Sequence, residues 1–413
     1  MPHTSPKPFN TAALPEAKPA AQTDKRGLAF LLASLSALGP FSIDTYLPSF
    51  PEIAEKLGAT QLQVQQTLSV YLLAFAVMTL WHGAISDRFG RRRVILIALG
   101  LFALASAGCA FASTIEQLWF WRAMQGITAG AGIVISRAIV RDLYDGADAQ
   151  RLMSQITMMF AIAPAIAPVI GGWLQTLFGW RSVFAFLVLS TAALGLACWK
   201  LLPETLPPEK RQSLKPAYLG RTYWKVLTSP AFLFACAAVS LNFGGFFVYI
   251  LSAPVFLMQH LGIHETGFLW LFGPAMAGMI GGAWLSGRLA GNISLSRTIA
   301  LGYLLMISAA SINVALNLAL PPALPWSVMP IFIYTLGMAL TMPGLTILAL
   351  DPFPAQRGLA ASCQTFFQSG FNSIVAALIA PALWGSTLSL AWGMAGMMLL
   401  GGMAALAHQK LRA

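Results

Sequence analysis

The chain has 413 residues, of which 57% are apolar and only 9% are charged, and its formal net charge is +11. A soluble domain usually carries about 25% charged residues, so this composition excludes a soluble globular protein and indicates a chain embedded in lipid. The four cysteines fall in apolar segments and lack the spacing of metal ligands, so no metal site is predicted.

The first 26 residues are polar and rich in proline, which predicts a disordered tail. Twelve apolar segments follow, each about 20 residues long, the length that a helix needs to cross ~30 Å of hydrocarbon. Because backbone groups in lipid must be bonded within the segment, these segments are predicted to be helices. The predicted spans are 28–49, 64–84, 94–112, 116–137, 152–175, 182–201, 231–256, 267–289, 297–317, 326–349, 358–380 and 385–407.

A long polar connection divides the spans six and six, and a weak internal repeat supports the division. Leu285–Arg288 resembles Ile85–Arg88, and Ala355–Arg357 repeats the order of Ala149–Arg151. Two such repeats favour a pair of bundles that face each other across a midplane cavity. The predicted domains are a tail over 1–26, an N-terminal bundle over 27–201, a cytoplasmic linker over 202–230 and a C-terminal bundle over 231–407.

An even number of spans places both termini on the same side of the membrane. Most of the 25 Lys and Arg residues fall in the tail and in connections on that side. Positive residues in short connections mark the cytoplasmic side, so both termini are predicted to be cytoplasmic. The net charge is then an orientation signal, and no nucleic-acid partner is expected.

The connection between the second and third spans, residues 83–93, has the pattern G-x-x-x-D-R-x-G-R-R-R. Its glycines allow close helix approach and a sharp turn, its acid can face a helix N-terminus and its arginine a carboxylate. The pattern resembles the corresponding loop of major facilitator superfamily transporters. That resemblance implies that Asp87 caps the eleventh helix near 355–358 and that Arg91 pairs with Asp142, only when the cytoplasmic side is closed. The predicted latch residues are Gly83, Asp87, Arg88, Gly90, Arg91 and Asp142, although charges that merely fix topology are an open alternative.

Two charged residues inside spans are candidates for proton coupling. Asp44 is the only carboxylate well inside any predicted span, and hydrocarbon disfavours its charged form, so it is expected to exchange a proton near neutral pH. Arg122 lies about a third of the way into span four, where a cation should face a cavity and find partners. A purely structural pair of these residues, or an arginine that extends to the outer surface, remains open.

Three further strings resemble motifs of exporters in this superfamily. Arg122-x-x-Gln125-Gly126 is similar to the R-x-x-Q-G motif of proton-coupled members, which is implicated in proton transfer. The strings D-x-Y-L-P at 44–48 and E-T-L-P-P-E-K-R at 204–211 resemble the bicyclomycin-resistance-type (Bcr/CflA) exporters. The string at 163–172 resembles the antiporter motif of drug exporters and implies export, with ordinary tight packing as the alternative. Its candidate residues are Pro164, Pro168, Gly171 and Gly172.

Aromatic rings and neutral amides are predicted to line a substrate cavity, because they suit bulky, partly apolar ligands. Amides are costly toward lipid, which makes them stronger candidates than the rings. The predicted cavity residues are Tyr46, Gln125, Asn242, Phe243, Phe247, Gln364, Phe367 and Gln368.

These resemblances imply an all-α major facilitator fold of twelve membrane helices in two six-helix bundles. The implied function is a monomeric antiporter in the bacterial inner membrane that exports drugs or amphipathic metabolites, with a proton as coupling ion and no cofactor. Lipid and the small-molecule substrate are the expected partners. The sequence lacks a phosphate loop and a catalytic serine–histidine–acid pattern, so no enzyme is predicted. Alternatives are a dedicated exporter or importer of one metabolite, such as an amino acid or sugar, and a receptor that binds without transporting.

Overall fold

The computed structural model describes residues 25–144, 146–211, 216–353 and 356–412, and these residues form helices and no strand. The tail predicted over 1–26 lies outside the described residues except for Lys25 and Arg26, with which the first helix begins. The all-α fold class predicted from the sequence is confirmed.

The helices that precede the long connection are joined by short turns. Thr60 begins α3 with a capping box, in which its side chain and that of Gln63 bond each other's backbone N–H groups. Gly90 separates α3 from α4 at φ 96°, a conformation that side chains rarely adopt. The helices are α1 (Lys25–Asp44), α2 (Phe50–Leu57), α3 (Gln61–Phe89), α4 (Arg91–Ala110), α5 (Ile115–Leu143), α6 (Gly146–Phe178) and α7 (Trp180–Leu201).

The remaining helices include α8, a short helix within the segment that was predicted as a plain linker. Two π-helical turns, Pro254–His260 and Val375–Ile379, continue α9 and α13 at the end of the molecule where α1 ends. The helices are α8 (Pro216–Leu227), α9 (Pro230–Leu251), α10 (Leu269–Leu289), α11 (Leu295–Ala319), α12 (Met329–Leu350), α13 (Arg357–Ile374), α14 (Ala380–Ala382) and α15 (Thr387–Arg412).

Ten helical segments of the described chain are long and apolar enough to cross a membrane. Two predicted spans fall outside this set. In α6 the apolar segment among described residues is the shorter Ile162–Phe178, and α13 is too polar because amide and hydroxyl side chains interrupt it. The sequence prediction therefore overstated the apolar character of the eleventh span, which packs between helices rather than against lipid alone.

Helices α1 to α7 pack mainly on one another, and so do α9 to α15. In the first set α3 packs on α5, α4 packs on α7 and α1 packs on α6. In the second set α9 packs on α15, and both α10 and α11 pack on α12. Contacts between the two sets run through α3 with α13 and through α6 with α10. These two interfaces determine where a cavity between the two sets of helices can open.

Glycines allow the closest helix approaches within each set. A Cβ atom at Gly126 on α5 would overlap the backbone oxygen of Tyr71 on α3, and one at Gly282 on α10 would overlap the backbone oxygen of Leu336 on α12. Since van der Waals packing between backbones stabilises helix pairs in lipid, these positions require glycine.

The adjacent glycines 281 and 282 provide a matched test of this packing. Gly282→Ala should lower the Tm of the purified protein, because overpacking costs about 1–3 kcal/mol. Gly281→Ala should leave the Tm unchanged, since the nearest atom to an added Cβ is a flexible Leu336 methyl at 3.9 Å. Thermal unfolding in detergent measures both, and equal Tm values for the two variants would contradict the packing interpretation.

Candidate functional site

A cavity of about 850 Å³ lies between the two sets of helices. Its walls come from α3, the start of α4, α5, α8 and the first turns of α13, at the end of the molecule where α3 and α5 end. We call this the open end. Phe75 lies on the wall deepest along α3, and Tyr223 of α8 donates a hydrogen bond to the Leu80 carbonyl at 2.5 Å. Helix α8 therefore lies against both sets at the cavity mouth.

The opposite end, where α1 ends and α3 begins, is closed by contacts between the sets. Ser373 Oγ of α13 donates to the Ser69 carbonyl of α3 at 2.8 Å. A Cβ at Gly172 of α6 would overlap the backbone oxygen of Glu265, next to α10. We call this the closed end. The conformation thus gives access to the cavity from one end.

Three of the predicted latch residues, Asp87, Arg91 and Asp142, form an ion-pair cluster at the open end. Arg91 Nε donates to Asp142 Oδ2 at 3.0 Å, and its Nη1 lies 2.5 Å from Asp87 Oδ1. Glu204, which was predicted only as part of a family string, accepts a hydrogen bond from the Arg91 backbone N–H at 2.9 Å. Thr205 also donates to Asp142 at 3.0 Å. The cluster therefore joins the start of α4 to the ends of α5 and α7.

The structure corrects part of the latch prediction. The Arg91–Asp142 pair was expected only with this end closed, yet it coexists with the open cavity, because both residues belong to the first set of helices. Asp87 pairs with Arg91 rather than capping α13, and it faces the same cavity as Gly358. Ala355, the other end of the expected cap, lies outside the described residues. Gly83 lies on the cavity wall, whereas Arg88 stacks on Phe89 at 5.2 Å and Gly90 lies beneath Glu204.

Asp44 is the last residue of α1 and is only 4% exposed. The half-buried positions Ala37 and Phe41 precede it at helical spacing on one stripe of α1. Asp44 is not on the cavity wall, and among described residues it forms no ion pair. It is a buried carboxyl group near the closed end.

Arg122 is fully buried inside the first set of helices, so it neither faces the cavity nor reaches the surface. Its guanidinium lies over the rings of Tyr46 and Tyr71, at 4.7 and 4.5 Å from their centroids. Its Nη1 donates to Gln125 Oε1 at 2.8 Å and contacts the Ser42 carbonyl at 3.4 Å. The cavity-facing position predicted for Arg122 is wrong because aromatic faces and an amide oxygen supply its partners.

A chain of ring contacts connects the cavity to Arg122. Phe75 on the cavity wall stacks on Tyr71, with centroids 6.5 Å apart, and Tyr71 lies against the guanidinium. The Tyr71 hydroxyl donates to the Gly39 carbonyl and accepts from Ser42 Oγ on α1. A rearrangement of Phe75 would therefore reach both Arg122 and the turn of α1 that precedes Asp44.

None of the predicted cavity residues is on the cavity wall in this conformation. The amides have partners inside their own set of helices: Asn242 donates to Tyr303 Oη at 2.8 Å, and Gln364 to Thr346 Oγ1 at 3.1 Å. Tyr46 and Gln125 contact the buried Arg122, and Phe243 packs on Phe247. Phe367 and Gln368 are not among the lining residues. The predicted cavity residues that lie off the wall in this conformation are Tyr46, Gln125, Asn242, Phe243, Phe247, Gln364, Phe367 and Gln368.

On α13 the predicted residues Gln364 and Phe367 lie on a different face from the cavity wall, whereas Gln368 continues the stripe of Ala361 and Thr365 one turn beyond the lining residues. Ala361, Ser362 and Thr365 lie on the cavity wall, and they follow helical spacing from Gly358. Arg137 and Arg141 of α5 were also missed as cavity residues, because they were counted only as orientation charges. Their spacing of four residues placed them on one helix face, which was the available signal.

The antiporter-like string makes contacts on both sides of α6. A Cβ at Gly171 would overlap the backbone oxygen of Thr45, the residue after Asp44, and Gly172 contacts Glu265 of the second set. Pro164 and Pro168 lie within α6. This segment of α6 therefore contacts both the end of α1 and the second set of helices at the closed end.

Comparisons agree with this geometry. The model of the Major Facilitator Superfamily matches residues 31–377. The chain belongs to this superfamily. It is 33% identical over 358 residues to the uncharacterized MFS-type transporter YdgK of Bacillus subtilis, covering 86% of this chain and 89% of that protein. It is 31% identical over 260 residues to a bicyclomycin resistance protein homolog of Haemophilus influenzae, covering 62% and 65%.

The solved structures show the same facilitator fold. A bacterial homolog of the human lysosomal transporter Spinster, in an inward-facing and unoccupied conformation, matches with a TM-score of 0.70 at 16% identity, covering 94% of this chain and 97% of that chain. The relatives confirm the Bcr/CflA-type resemblance drawn from the sequence. This facilitator chain is a multi-pass membrane transporter.

The contact at Gly172 predicts how this facilitator opens its closed end. Gly172→Ala should weaken the closure by about 1–3 kcal/mol through overlap with the Glu265 backbone. A reporter cysteine, Gln65→Cys, placed at a fully buried position of α3, should then be labelled roughly tenfold faster by a membrane-impermeant maleimide. The four native cysteines are replaced by alanine. Gly195→Ala, where an added Cβ has its nearest neighbour at 4.0 Å, is the control; equal rates in both variants would refute the prediction.

Proposed function

We propose that the chain is a proton-coupled antiporter that exports drugs or amphipathic metabolites across the bacterial inner membrane, with both termini in the cytoplasm. The observation that carries this proposal is that a buried carboxyl group, Asp44, and a buried cation, Arg122, lie on adjacent helices of the first set and form no ion pair among the described residues. The resistance name of a relative supports drugs as cargo.

The first step concerns the charge state of Asp44. A buried carboxylate without a cationic partner is strongly disfavoured. In this conformation, no ion pair within the described part of the chain includes Asp44. Asp44 therefore holds its proton here, and its neutral form is compatible with the closed end.

The second step concerns the unused edge of Arg122. The contacts to Gln125 and Ser42 both use Nη1, whereas Nε and Nη2 are buried and have no hydrogen-bond partner among the described residues. Nε and Nη2 together form the edge of a guanidinium that binds a carboxylate with two parallel hydrogen bonds. This edge is suited to receive the Asp44 carboxylate once Asp44 loses its proton.

The third step connects this exchange to alternating access. Arg122 already contacts the turn of α1 that ends in Asp44, so pairing requires a local shift of that turn rather than a new helix arrangement. Thr45, the next residue, packs on Gly171, and the neighbouring Gly172 packs on the second set. A shift at Asp44 therefore acts on the contact that closes the far end, which favours rocking of one bundle on the other.

The cavity is compatible with a drug-sized cargo. Ligand pockets for such molecules usually enclose about 300–1,000 Å³, and this cavity encloses about 850 Å³. Its walls combine apolar side chains with hydroxyl groups and arginines, which suits an amphipathic molecule.

Asp44→Asn should abolish drug resistance in a pump-deficient strain, because the amide cannot release a proton or pair with Arg122. Arg122→Lys should also lower resistance, since a lysine cannot offer two parallel donors to the carboxylate. The measurement is the inhibitory concentration for a panel of drugs at equal membrane abundance of each variant.

Glu55→Gln, at an exposed carboxylate of α2, is the matched control and should retain full resistance. Undiminished resistance in the Asp44→Asn variant would remove Asp44 from the mechanism. A narrow or absent drug phenotype of the unmodified protein, with one accumulating metabolite, would instead favour a dedicated metabolite transporter.

A further inference from the structure

The cavity wall carries an excess of positive charge. Three arginines and two aspartates are among its lining residues. They belong to α3, the start of α4 and the last turns of α5, so they surround the open end. The charged residues are Asp87, Arg91, Arg137, Arg141 and Asp142.

The two aspartates are already paired. Arg91 binds both Asp87 and Asp142, and Thr205 donates a further hydrogen bond to Asp142. Within the described chain, Arg137 and Arg141 form no ion pair, and both side chains are exposed to the cavity. The charge available to a ligand is therefore that of the two α5 arginines.

The two arginines are placed to act together. They are four residues apart, so their side chains lie on the same face of α5. Arg141 Nε donates weakly to the Arg137 carbonyl at 3.5 Å. Among the described residues, the remaining donors of Arg141 and the whole Arg137 guanidinium have no hydrogen-bond partner and can bind a ligand. Like charges at this spacing repel each other, and an anion that contacts both guanidinium groups offsets that repulsion.

The rest of the wall suits the apolar body of such a ligand. Phe75, Ile133 and Val134 extend from the arginines into the cavity, and Thr79 and Ser362 add hydroxyl groups on facing helices. The first turn of α13, without a side-chain cap at Gln356, contributes a further partial positive charge at the mouth. An organic cation finds no unpaired carboxylate on this wall among the described residues, since Asp44 lies elsewhere.

We propose that this cavity selects organic anions, molecules with an apolar body and a carboxylate or sulfonate group, and that Arg137 and Arg141 bind the anionic group. This inference rests on the proposed function and specifies its substrate class. Because Arg137 and Arg141 act by charge and hydrogen bonding at the mouth, the preference is expected to weaken as salt is raised.

A pair of fluorescent probes with the same ring system tests the charge preference. Anilinonaphthalene sulfonate carries the anionic group, and phenylnaphthylamine lacks it. In nanodiscs of zwitterionic lipid, the purified protein should bind the sulfonate roughly tenfold more tightly than the neutral amine, as expected for charge-assisted hydrogen bonds. Equal affinities for the two probes would overturn the proposal.

Variants of the arginines identify the site. The double variant Arg137→Gln, Arg141→Gln should lose the sulfonate preference while it binds the neutral amine as before, and the double lysine variant should keep most of the preference. Arg288→Gln is the control, because Arg288 lies at the end of α10 over the Trp284 ring, at 4.2 Å, and off the cavity wall. A preference that persists in the double glutamine variant, or that is lost in the control, would contradict the assignment.

Two further experiments distinguish this proposal from the exporter proposal and from the binding of a lipid headgroup. Asp44→Asn should keep the sulfonate preference, because Asp44 lies off the cavity wall. If the unmodified protein confers no drug resistance but still prefers the sulfonate, the exporter proposal is refuted and the anion site stands. Nanodiscs that contain anionic phosphatidylglycerol test whether lipid is the natural occupant. Complete loss of probe binding in that lipid would assign the arginines to a lipid headgroup and overturn the substrate proposal.

Discussion

The burial of the Arg122 guanidinium is the constraint on which the first set of helices depends. A cation surrounded by apolar helices is tolerated only where fixed groups replace its water. Here two aromatic faces and one amide oxygen do so. Tyr71 can reach the guanidinium because Gly126, the glycine of the R-x-x-Q-G string, lets α5 approach the backbone of Tyr71 on α3. The glycine and the arginine of that string therefore serve one arrangement.

The contacts of α6 extend this constraint to the closed end. Gly171 packs on the residue after Asp44, and Gly172 packs on the second set of helices, so one turn of α6 carries both contacts. The environment of Asp44 and the closure between the sets are thus supported by the same rigid element. Interfaces of this kind rearrange between discrete packings rather than deforming gradually, which is the behaviour that alternating access requires.

Composition and local motifs were sufficient to predict the helical fold, because lipid leaves few alternatives to a helix. The pairing of Arg91 with Asp142, fifty-one residues away, was implied by the family resemblance of the loop and not by its local chemistry. The cavity residues could not be predicted. An amide such as Asn242 can donate a hydrogen bond to a ligand in a cavity or to another helix, and its partner Tyr303 is sixty-one residues away. The prediction that α13 borders the cavity was correct, but which face of α13 does so depends on how this helix packs against α3.

The separation of Asp44 from the cavity also restricts the mechanism of exchange. Direct competition between cargo and proton requires the carboxyl group on the cavity wall, and in this conformation Phe75 and Tyr71 lie along the route between the cavity and Arg122. Cargo at the wall can therefore affect Asp44 only through the rings, Arg122 and the α1 turn. If the wall arginines hold an anion while Asp44 holds a proton, the two ligands occupy different groups, and their exchange must be coupled by conformational change.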